Sequence, residues 1–131
     1  MKLEKLNQNN VENLINLVKP NLIVHSASFV PKTLEDYKNL ESSSLNREML
    51  ENILKFSKVP LVYISSMTVY GNSKNVVRCE SDAGNPESPY GINKYESELL
   101  LKDDGRDSLA IRIPGLFGEG RSDGLVNNIL L

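Results

Sequence analysis

The sequence predicts an α/β fold built on a parallel β-sheet. Helical patterns alternate along the chain with short, continuous apolar runs, which are typical of strands buried in a parallel sheet. Each apolar run is followed by small or hydroxyl-bearing residues, and open α/β sheets bind their ligands beyond the carboxyl ends of the strands. We therefore expect three strands with helices covering both faces of the sheet.

The first helix and strand lie within the first 28 residues. Asn10 can cap a helix, and the apolar residues after it follow at helical spacing until Pro20, namely Val11, Leu14, Ile15 and Val18. The run 22–24 (Leu-Ile-Val) then predicts a buried strand. The small residues 26–28 after it would let a ligand approach the backbone closely.

The middle of the chain predicts two helical segments and a second strand. Thr33 and Asp36 could form a capping box for a short helix, and Ser44 could cap a longer one. The run 61–64 (Leu-Val-Tyr-Ile) indicates a strand. A polar loop over residues 65–88 follows, and loops of that length are usually functional or disordered.

The last elements are a helix, a strand and an apolar segment. Pro89 suits a helix start, and the helix extends to about Leu101. Residues 109–113 predict the third strand, which ends at Pro114 and Gly115. Residues 124–131 look like the beginning of a further helix.

Composition excludes several classes of protein. The chain has 131 residues, the size of one domain, and a net charge of −2 with no basic stripe, so we expect no nucleic-acid partner. It has no long apolar run and no signal-peptide pattern, which predicts no membrane association and a cytoplasmic location. With one cysteine and one histidine it should carry no metal site.

A tyrosine, a lysine and a serine form the candidate catalytic set. Tyr90 and Lys94 are four residues apart, so they share one helix face, opposite a stripe of Ile92, Tyr95 and Leu99. That face could be solvated or could line a cofactor site. Ser66 ends the preceding strand, where its hydroxyl could hold a substrate oxygen against the phenol. Tyr90 would then act as a general acid/base, with the positive charge of Lys94 lowering its pKa.

Four segments give the chain a family resemblance. KPNLIVHSA, LVYISSMTVYG, SPYGINKYESE and IRIPGLFGEG, in this order and spacing, are similar to the extended short-chain dehydrogenase/reductases, which include nucleotide-sugar epimerases and dehydratases. The resemblance covers about residues 10–121. It implies the second half of a Rossmann-like, doubly wound parallel sheet, an NAD or NADP cofactor and a nucleotide-sugar substrate.

The resemblance also implies roles for individual residues. Tyr90 would exchange a proton with the substrate while hydride passes to or from the nicotinamide, Lys94 would bind the nicotinamide ribose, and Ser66 would hydrogen-bond the substrate. Further positions are implied beside the two ligands. Those expected along the cofactor are Ser26, Ala27, Ser28 and Pro114, and those expected to face the substrate are Met67, Thr68 and Gly115.

Two departures from the family pattern narrow the expected reaction. Met67 and Thr68 stand where the 4,6-dehydratases carry an Asp-Glu pair, and neither is an acid or base at neutral pH, so an epimerase or a reductase fits better than a dehydratase. The family's asparagine in the helix before the serine strand has no secure counterpart, and its place falls on Glu41 or Ser42.

The family's opening segment is absent from the sequence. A strand, a glycine-rich phosphate-binding turn and a helix should come first; here the glycine cluster of residues 115–120, with Arg121, follows the last strand and is expected to be a turn. We therefore expect residues 1–131 to form a partial NAD(P)-binding domain without its N-terminal βαβ half and C-terminal substrate region. The open edge of the first strand should make the chain unstable, self-associating, or paired with an N-terminal half.

Two alternatives to a catalytic parent enzyme stay open. The chain could be a non-catalytic fragment or binding module of the same fold, or, less consistently with an intact proton donor, a redox-sensing regulator. The other chemical side chains have structural interpretations. We expect His25 to be a hydrogen-bonded structural residue, Tyr63 and Tyr95 to pack in the core, Tyr70 to shape its loop, and Cys79 to be an incidental thiol.

Overall fold

The structure is a computed structural model and describes residues 8–72 and 77–116. The elements alternate as predicted: α1 (Gln8–Val18), β1 (Ile23–His25), α2 (Leu40–Phe56), β2 (Leu61–Ser66), α3 (Pro89–Asp104) and β3 (Ser108–Ile113). Two short 3₁₀ turns, Asp36–Lys38 and Met67–Tyr70, precede α2 and follow β2. Residues 124–131 and Gly118, Gly120 and Arg121 of the predicted glycine turn lie outside the described residues.

The three strands form one parallel sheet in the order β1-β2-β3. In its register His25 lies beside Tyr63, and Ser66 lies beside Ile113. All three carboxyl ends therefore meet at one edge of the sheet. This confirms the predicted α/β class with three parallel strands and flanking helices.

Local signals explain where several elements begin and end. Thr33 and Asp36 form the predicted capping box, in which each backbone N–H donates to the other side chain at 3.2 and 2.9 Å. Pro89 occupies the first turn of α3, and the Ser88 hydroxyl accepts the Gly91 N–H at 3.1 Å. Gly105, with a φ of 73°, ends the same helix.

The start of α2 differs from the prediction. The helix begins at Leu40, so Ser44 lies inside it rather than at its cap. The Ser44 hydroxyl donates to the carbonyl oxygen of Glu41 at 2.8 Å, which satisfies the side chain within the helix. The capping preference of serine was therefore misleading at this position.

The core lies between the helices and one face of the sheet. Its buried members come from all three helices and from β2, and they are Val11, Leu50, Ile53, Leu54, Leu61, Tyr63 and Leu101. Burying an aliphatic or aromatic side chain of this size stabilises a fold by about 1.5–3 kcal/mol each. These contacts hold β2 and α3, which carry the candidate catalytic set, against each other.

The opposite face of the sheet is open in the described part of the chain. Val24, Leu109 and Ile111 on that face are 59%, 56% and 39% exposed. Both crossovers, β1-α2-β2 and β2-α3-β3, step in the same direction across the sheet, and right-handed crossovers then place both helices on one face. The expectation that helices cover both faces, and that the first strand is buried, is wrong for these residues.

No helix in ranges 8–72 and 77–116 is long and apolar enough to cross a membrane.

Candidate functional site

The candidate catalytic set lies at the edge where the strands end. Ser66 is the last residue of β2, while Tyr90 and Lys94 lie one helical turn apart near the start of α3. α3 packs against β2 and against the turn at residues 67–70. Gly91 allows this close approach, because a Cβ there would lie 2.9 Å from the carbonyl oxygen of Thr68.

Tyr90 and Lys94 lie on the buried face of α3. The two residues are 6% and 2% exposed, together with Ser97 and Leu101 on the same face. Ile92 and Leu99, which belong to the apolar stripe on the opposite side of α3, are 38% and 43% exposed. Of the two possibilities left open by the sequence, a solvated face is therefore wrong for the described chain.

The Lys94 ammonium contacts residues of β2. Its Nζ donates to the carbonyl oxygen of Ile64 at 2.9 Å and lies 4.8 Å from the Tyr63 ring centroid and 5.9 Å from that of Tyr90. Burial lowers the pKa of Lys94 to about 8, and the nearby Glu98 carboxylate opposes that shift. The side chain therefore remains mostly protonated at neutral pH.

The Tyr90 phenol is buried near the side chains of Ser28, Ser66 and Tyr37. Burial raises its pKa, the nearby Tyr37 adds to the increase, and hydrogen bonding with the side chains of Ser28 and Ser66 opposes it. The Tyr37 ring meets the Tyr90 ring edge-on at 5.6 Å. The expected lowering of this pKa by Lys94 is wrong for this structure, because desolvation outweighs the groups that favour the phenolate.

The residues after Ser66 are fixed by a tight turn. The Ser66 Oγ accepts hydrogen bonds from the backbone N–H of Thr68 at 3.2 Å and from its hydroxyl at 3.0 Å. At the end of the turn Gly71 has a φ of 71°, and a Cβ there would lie 2.0 Å from the carbonyl oxygen of Asn85. Only glycine fits at this position. Met67 is exposed and Thr68 half-buried, which leaves both accessible from the site.

A cavity of about 460 Å³ opens beside the start of α3, and its lining includes Ser88 and Pro89 but not Tyr90, Ser66 or Lys94. Its walls include Tyr37 and Lys38 from the first 3₁₀ turn, Thr68 from the second, and Glu87 from the loop before α3. Glu87 also binds the side-chain amide of Asn72 at 3.0 Å, which closes the loop around the cavity. The cavity has both polar and apolar walls, as a small-molecule site requires, and Tyr37 connects it to the candidate set through its contact with the Tyr90 ring.

Asn46 on α2 is a site residue that the sequence analysis missed. It is 1% exposed, and its amide is bonded to the loop after β1: Oδ1 accepts from the Phe29 N–H at 2.6 Å and from the Ser28 hydroxyl at 3.2 Å, and Nδ2 donates to the Phe29 carbonyl at 3.1 Å. The side chain thereby holds Ser28 near Tyr90. Glu41, one of the two predicted positions, is exposed, and the side chain of Ser42 lies outside the described residues.

A second buried network connects β2, α3 and β3. Glu98 accepts two hydrogen bonds from Arg112 Nε at 3.1 Å and one from Nη2 at 2.8 Å, and it accepts the Ser65 hydroxyl at 2.5 Å. The Arg112 guanidinium also lies 4.6 Å above the Tyr70 ring. Tyr70 donates to the carbonyl of Cys79 at 3.2 Å, which confirms its role in shaping the loop.

The remaining candidates have packing roles. His25 is buried and stacks on the Tyr63 ring at 5.7 Å, which agrees with the expected structural role, and its Nε2 has no hydrogen-bond partner among the described residues. Tyr63 is a core residue, as predicted. Tyr95 is half-buried with its ring against Gly84, and Cys79 is exposed with a free thiol.

The predicted cofactor-facing and substrate-facing positions lie at the same edge. Ser26 is exposed and Ala27 and Ser28 are half-buried beyond β1, while Pro114 and Gly115 are exposed beyond β3. These positions are open to a ligand, but no contact tests their assigned roles. Within ranges 8–72 and 77–116 no three His, Cys, Asp or Glu side chains cluster closely enough to hold a metal ion.

Comparison with known families identifies the chain. The sequence profile of the RmlD substrate binding domain matches residues 1–130. The chain belongs to this family. The RmlD match confirms the resemblance to the extended short-chain dehydrogenase/reductases that the four motifs indicated.

The relatives that match this chain are considerably longer than it is. Methionine adenosyltransferase 2 subunit beta of Bos taurus is 32% identical over 118 residues, or 87% of this chain and 35% of that protein. A dTDP-4-dehydrorhamnose reductase of Sinorhizobium fredii is 27% identical over 85 residues, or 63% of this chain and 29% of that protein. The chain thus spans about a third of the length of these relatives.

A solved structure has the same fold. The dTDP-4-dehydrorhamnose reductase of Bacillus anthracis, crystallised with NADP, superposes with a TM-score of 0.80 at 22% identity, over 92% of this chain and 44% of that chain. The described strands and helices are therefore part of a Rossmann-like α/β domain.

Proposed function

We propose that this chain is part of an NAD(P)-dependent enzyme that oxidises or reduces a nucleotide-sugar carbinol or carbonyl, as an epimerase or a reductase. One observation carries the proposal: Tyr90 is buried at the sheet edge near Ser28 and Ser66, whose hydrogen bonding acts on the pKa of its phenol, and the Lys94 ammonium lies 5.9 Å from its ring centroid. A proton donor, a hydrogen-bond donor for the substrate and a fixed positive charge are thus grouped in one place.

Each residue has a distinct role in the proposed reaction. Tyr90 transfers its phenolic proton to the substrate oxygen during reduction, or removes a proton from a substrate hydroxyl during oxidation. Ser66 donates a hydrogen bond to the same oxygen and keeps it against the phenol. Lys94, whose ammonium lies 5.9 Å from the Tyr90 ring centroid, would bind the nicotinamide ribose.

The residues at the strand ends suit a dinucleotide. Ser26, Ala27 and Ser28 have small side chains, so a bound cofactor could approach the β1 backbone, and Pro114 lies at the matching end of β3. Lys94 makes one hydrogen bond among the described residues, so its ammonium has further N–H groups for ribose hydroxyls. When bound, NAD or NADP would supply or accept the hydride.

Of the two reactions, reduction is favoured. Burial raises the Tyr90 pKa, so the phenol stays protonated at neutral pH and is ready to donate to an oxygen that gains negative charge. The first step of an epimerase needs the opposite, a phenolate that accepts a proton. The S. fredii relative is named dTDP-4-dehydrorhamnose reductase, which supports the same choice.

A second candidate is a binding module. The Bos taurus relative is named as the beta subunit of methionine adenosyltransferase 2. A protein similar to this chain is thus named as a subunit of an enzyme and not as an epimerase or a reductase. On this alternative the domain would bind a nucleotide or a protein partner without transferring hydride.

Cofactor binding and turnover separate the two candidates. Isothermal calorimetry with NADPH and NADH should show binding by this chain joined to a glycine-rich N-terminal half, and weak or no binding by the 131 residues alone. Oxidation of NADPH by a dTDP-4-ketosugar in the joined protein would support the reductase. Binding of NADPH without turnover of any ketosugar or nucleotide-sugar would favour the module.

The open edge of β1 suggests how such halves would meet. Among the described residues, β1 lies at the end of the strand order and pairs with β2 alone, so its other backbone edge has no partner strand there. An unpaired apolar edge favours pairing with another strand. Light scattering after size-exclusion should show self-association of the chain, and a monomeric, cooperatively folded species would contradict this expectation.

A further inference from the structure

The buried Lys94 ammonium has few hydrogen-bond partners in place of the water that it loses on burial. The residue is 2% exposed, and among the described residues its Nζ makes one hydrogen bond, to the carbonyl oxygen of Ile64 at 2.9 Å. An ammonium group has three donors, and a buried cation with unmet hydration is strongly disfavoured. Some other neighbour must therefore stabilise the charge.

The ring of Tyr63 is the neighbour best placed to do so. Its centroid lies 4.8 Å from Nζ, against 5.9 Å for Tyr90, and both distances are within the range of a cation–π interaction. Such contacts are strongest where water is excluded, and Tyr63 is only 1% exposed. Burial raises the Tyr63 pKa, so the ring remains a neutral phenol and keeps its electron-rich face.

The Tyr63 ring is itself fixed in position. The imidazole of His25 stacks on it at 5.7 Å with an interplanar angle of 28°. Burial and the Lys94 charge lower the His25 pKa to about 4, so the imidazole is neutral and adds no competing positive charge. β1 and β2 therefore present a stacked pair of neutral rings to the lysine on α3.

The other titratable groups near Lys94 do not replace this contact. Tyr90 is more distant, and the Glu98 carboxylate, one helical turn further along α3, is already bonded to Arg112 and Ser65. Its negative charge favours the ammonium, but no hydrogen bond joins the two groups among the described residues. Within the described residues, the Tyr63 ring face and the Ile64 carbonyl are thus the contacts that can stabilise Nζ.

We propose that Tyr63 is a positioning residue whose ring face holds the Lys94 ammonium beside Tyr90. The consequence for proton transfer rests on the proposed function, but the contact itself does not. Tyr63 was expected from the sequence only to pack in the core. Its aromatic face, rather than its hydroxyl or its volume, is what Lys94 requires.

The test varies the electron density of the ring while keeping its shape. Tyr63→Phe retains the face and serves as the reference, and phenylalanine analogues carrying one, two or three ring fluorines at position 63 weaken the quadrupole stepwise. The measurement is the NMR titration of lysine side chains labelled with ¹³C at Cε, with the Lys94 signal assigned by its loss in Lys94→Arg. The chain joined to an N-terminal half is used if the 131 residues self-associate.

The expected result is a graded loss. Lys94 should titrate well below the other lysines in the native chain and in Tyr63→Phe, and its apparent pKa should fall further with each fluorine, by about one unit over the series. Circular dichroism should show the same fold throughout. A Lys94 titration that does not change along a folded series would overturn the proposal.

The outcome is separate from that of the proposed function. The lysine titration needs neither cofactor nor substrate, so a graded shift in a protein without turnover would support the contact and reject the enzyme. Turnover without a graded shift would support the enzyme and reject the contact between Tyr63 and Lys94. In an active protein, the alkaline limb of kcat against pH should also move down along the same series.

Discussion

Replacing Asn46 by alanine should destabilise the protein and release the loop that carries Ser28. The Asn46 amide makes two hydrogen bonds with the backbone of Phe29, at 2.6 and 3.1 Å, and accepts one from the Ser28 hydroxyl at 3.2 Å. Each hydrogen bond contributes about 1 kcal/mol, and a buried group left without a partner costs about 1–3 kcal/mol. Because the loop is only partly buried, we expect a loss of about 2–3 kcal/mol.

Urea denaturation followed by circular dichroism measures this change. A loss of that size should lower the midpoint by about 1–2 M, with an unchanged slope. Ser44→Ala, on the same helix but exposed, is the matched control and should alter stability by less than about 0.5 kcal/mol. If Asn46→Ala were as mild as Ser44→Ala, the assignment of Asn46 as the clamp on the Ser28 loop would be refuted.

Three further perturbations test other parts of the structure. Arg112→Met should lower the free energy of unfolding, measured in urea, by about 3 kcal/mol, because it leaves the Glu98 carboxylate, 9% exposed, without its cation. The double variant Arg112→Met/Glu98→Leu should recover most of that loss. A double variant as unstable as Arg112→Met alone would contradict a buried ion pair. The His25 pKa is lowered to about 4 from 6.5, so the unfolded chain binds the extra proton and stability should fall by up to about 3 kcal/mol as pH drops from 6.5 to 4. His25→Phe should remove that pH dependence, and an unchanged pH profile of unfolding would exclude His25 as its source. Gly71→Ala should be several-fold more destabilising than Gly105→Ala. Both glycines have a positive φ, which costs alanine about 1 kcal/mol, but only at Gly71 would the new Cβ meet a carbonyl oxygen. Similar decreases in melting temperature for the two variants would count against that contact.

Most of the fold could be predicted because its local signals agree with its packing. The apolar runs at 22–24, 61–64 and 109–113 became the three strands, and Pro89 marked the start of α3. Ser44 was misleading because serine caps helices but also bonds a preceding carbonyl inside them. The open sheet face could not be predicted from apolar content alone, since it depends on the direction of the crossovers.

The site was predicted less completely, for two physical reasons. The sequence left open whether the face of Tyr90 and Lys94 is solvated. α3 buries this face and leaves Ile92 and Leu99 of the apolar stripe partly exposed, because neighbouring hydroxyls and aromatic rings accommodate its polar groups. Asn46 lies in a polar stretch with no distinguishing pattern, and its role depends on a loop 17 residues earlier in the sequence. Long-range polar contacts of this kind leave no periodic signal.

The central claim is that Tyr90 is the proton donor of a hydride-transfer site. Its most direct test is the rate of NADPH oxidation by a dTDP-4-ketosugar, compared between Tyr90→Phe and the native sequence, each joined to a glycine-rich N-terminal half. Tyr90→Phe removes the proton but keeps the ring, so we predict that NADPH still binds while kcat falls by about 10²–10⁴-fold. Turnover at the native rate with phenylalanine at this position would contradict the account.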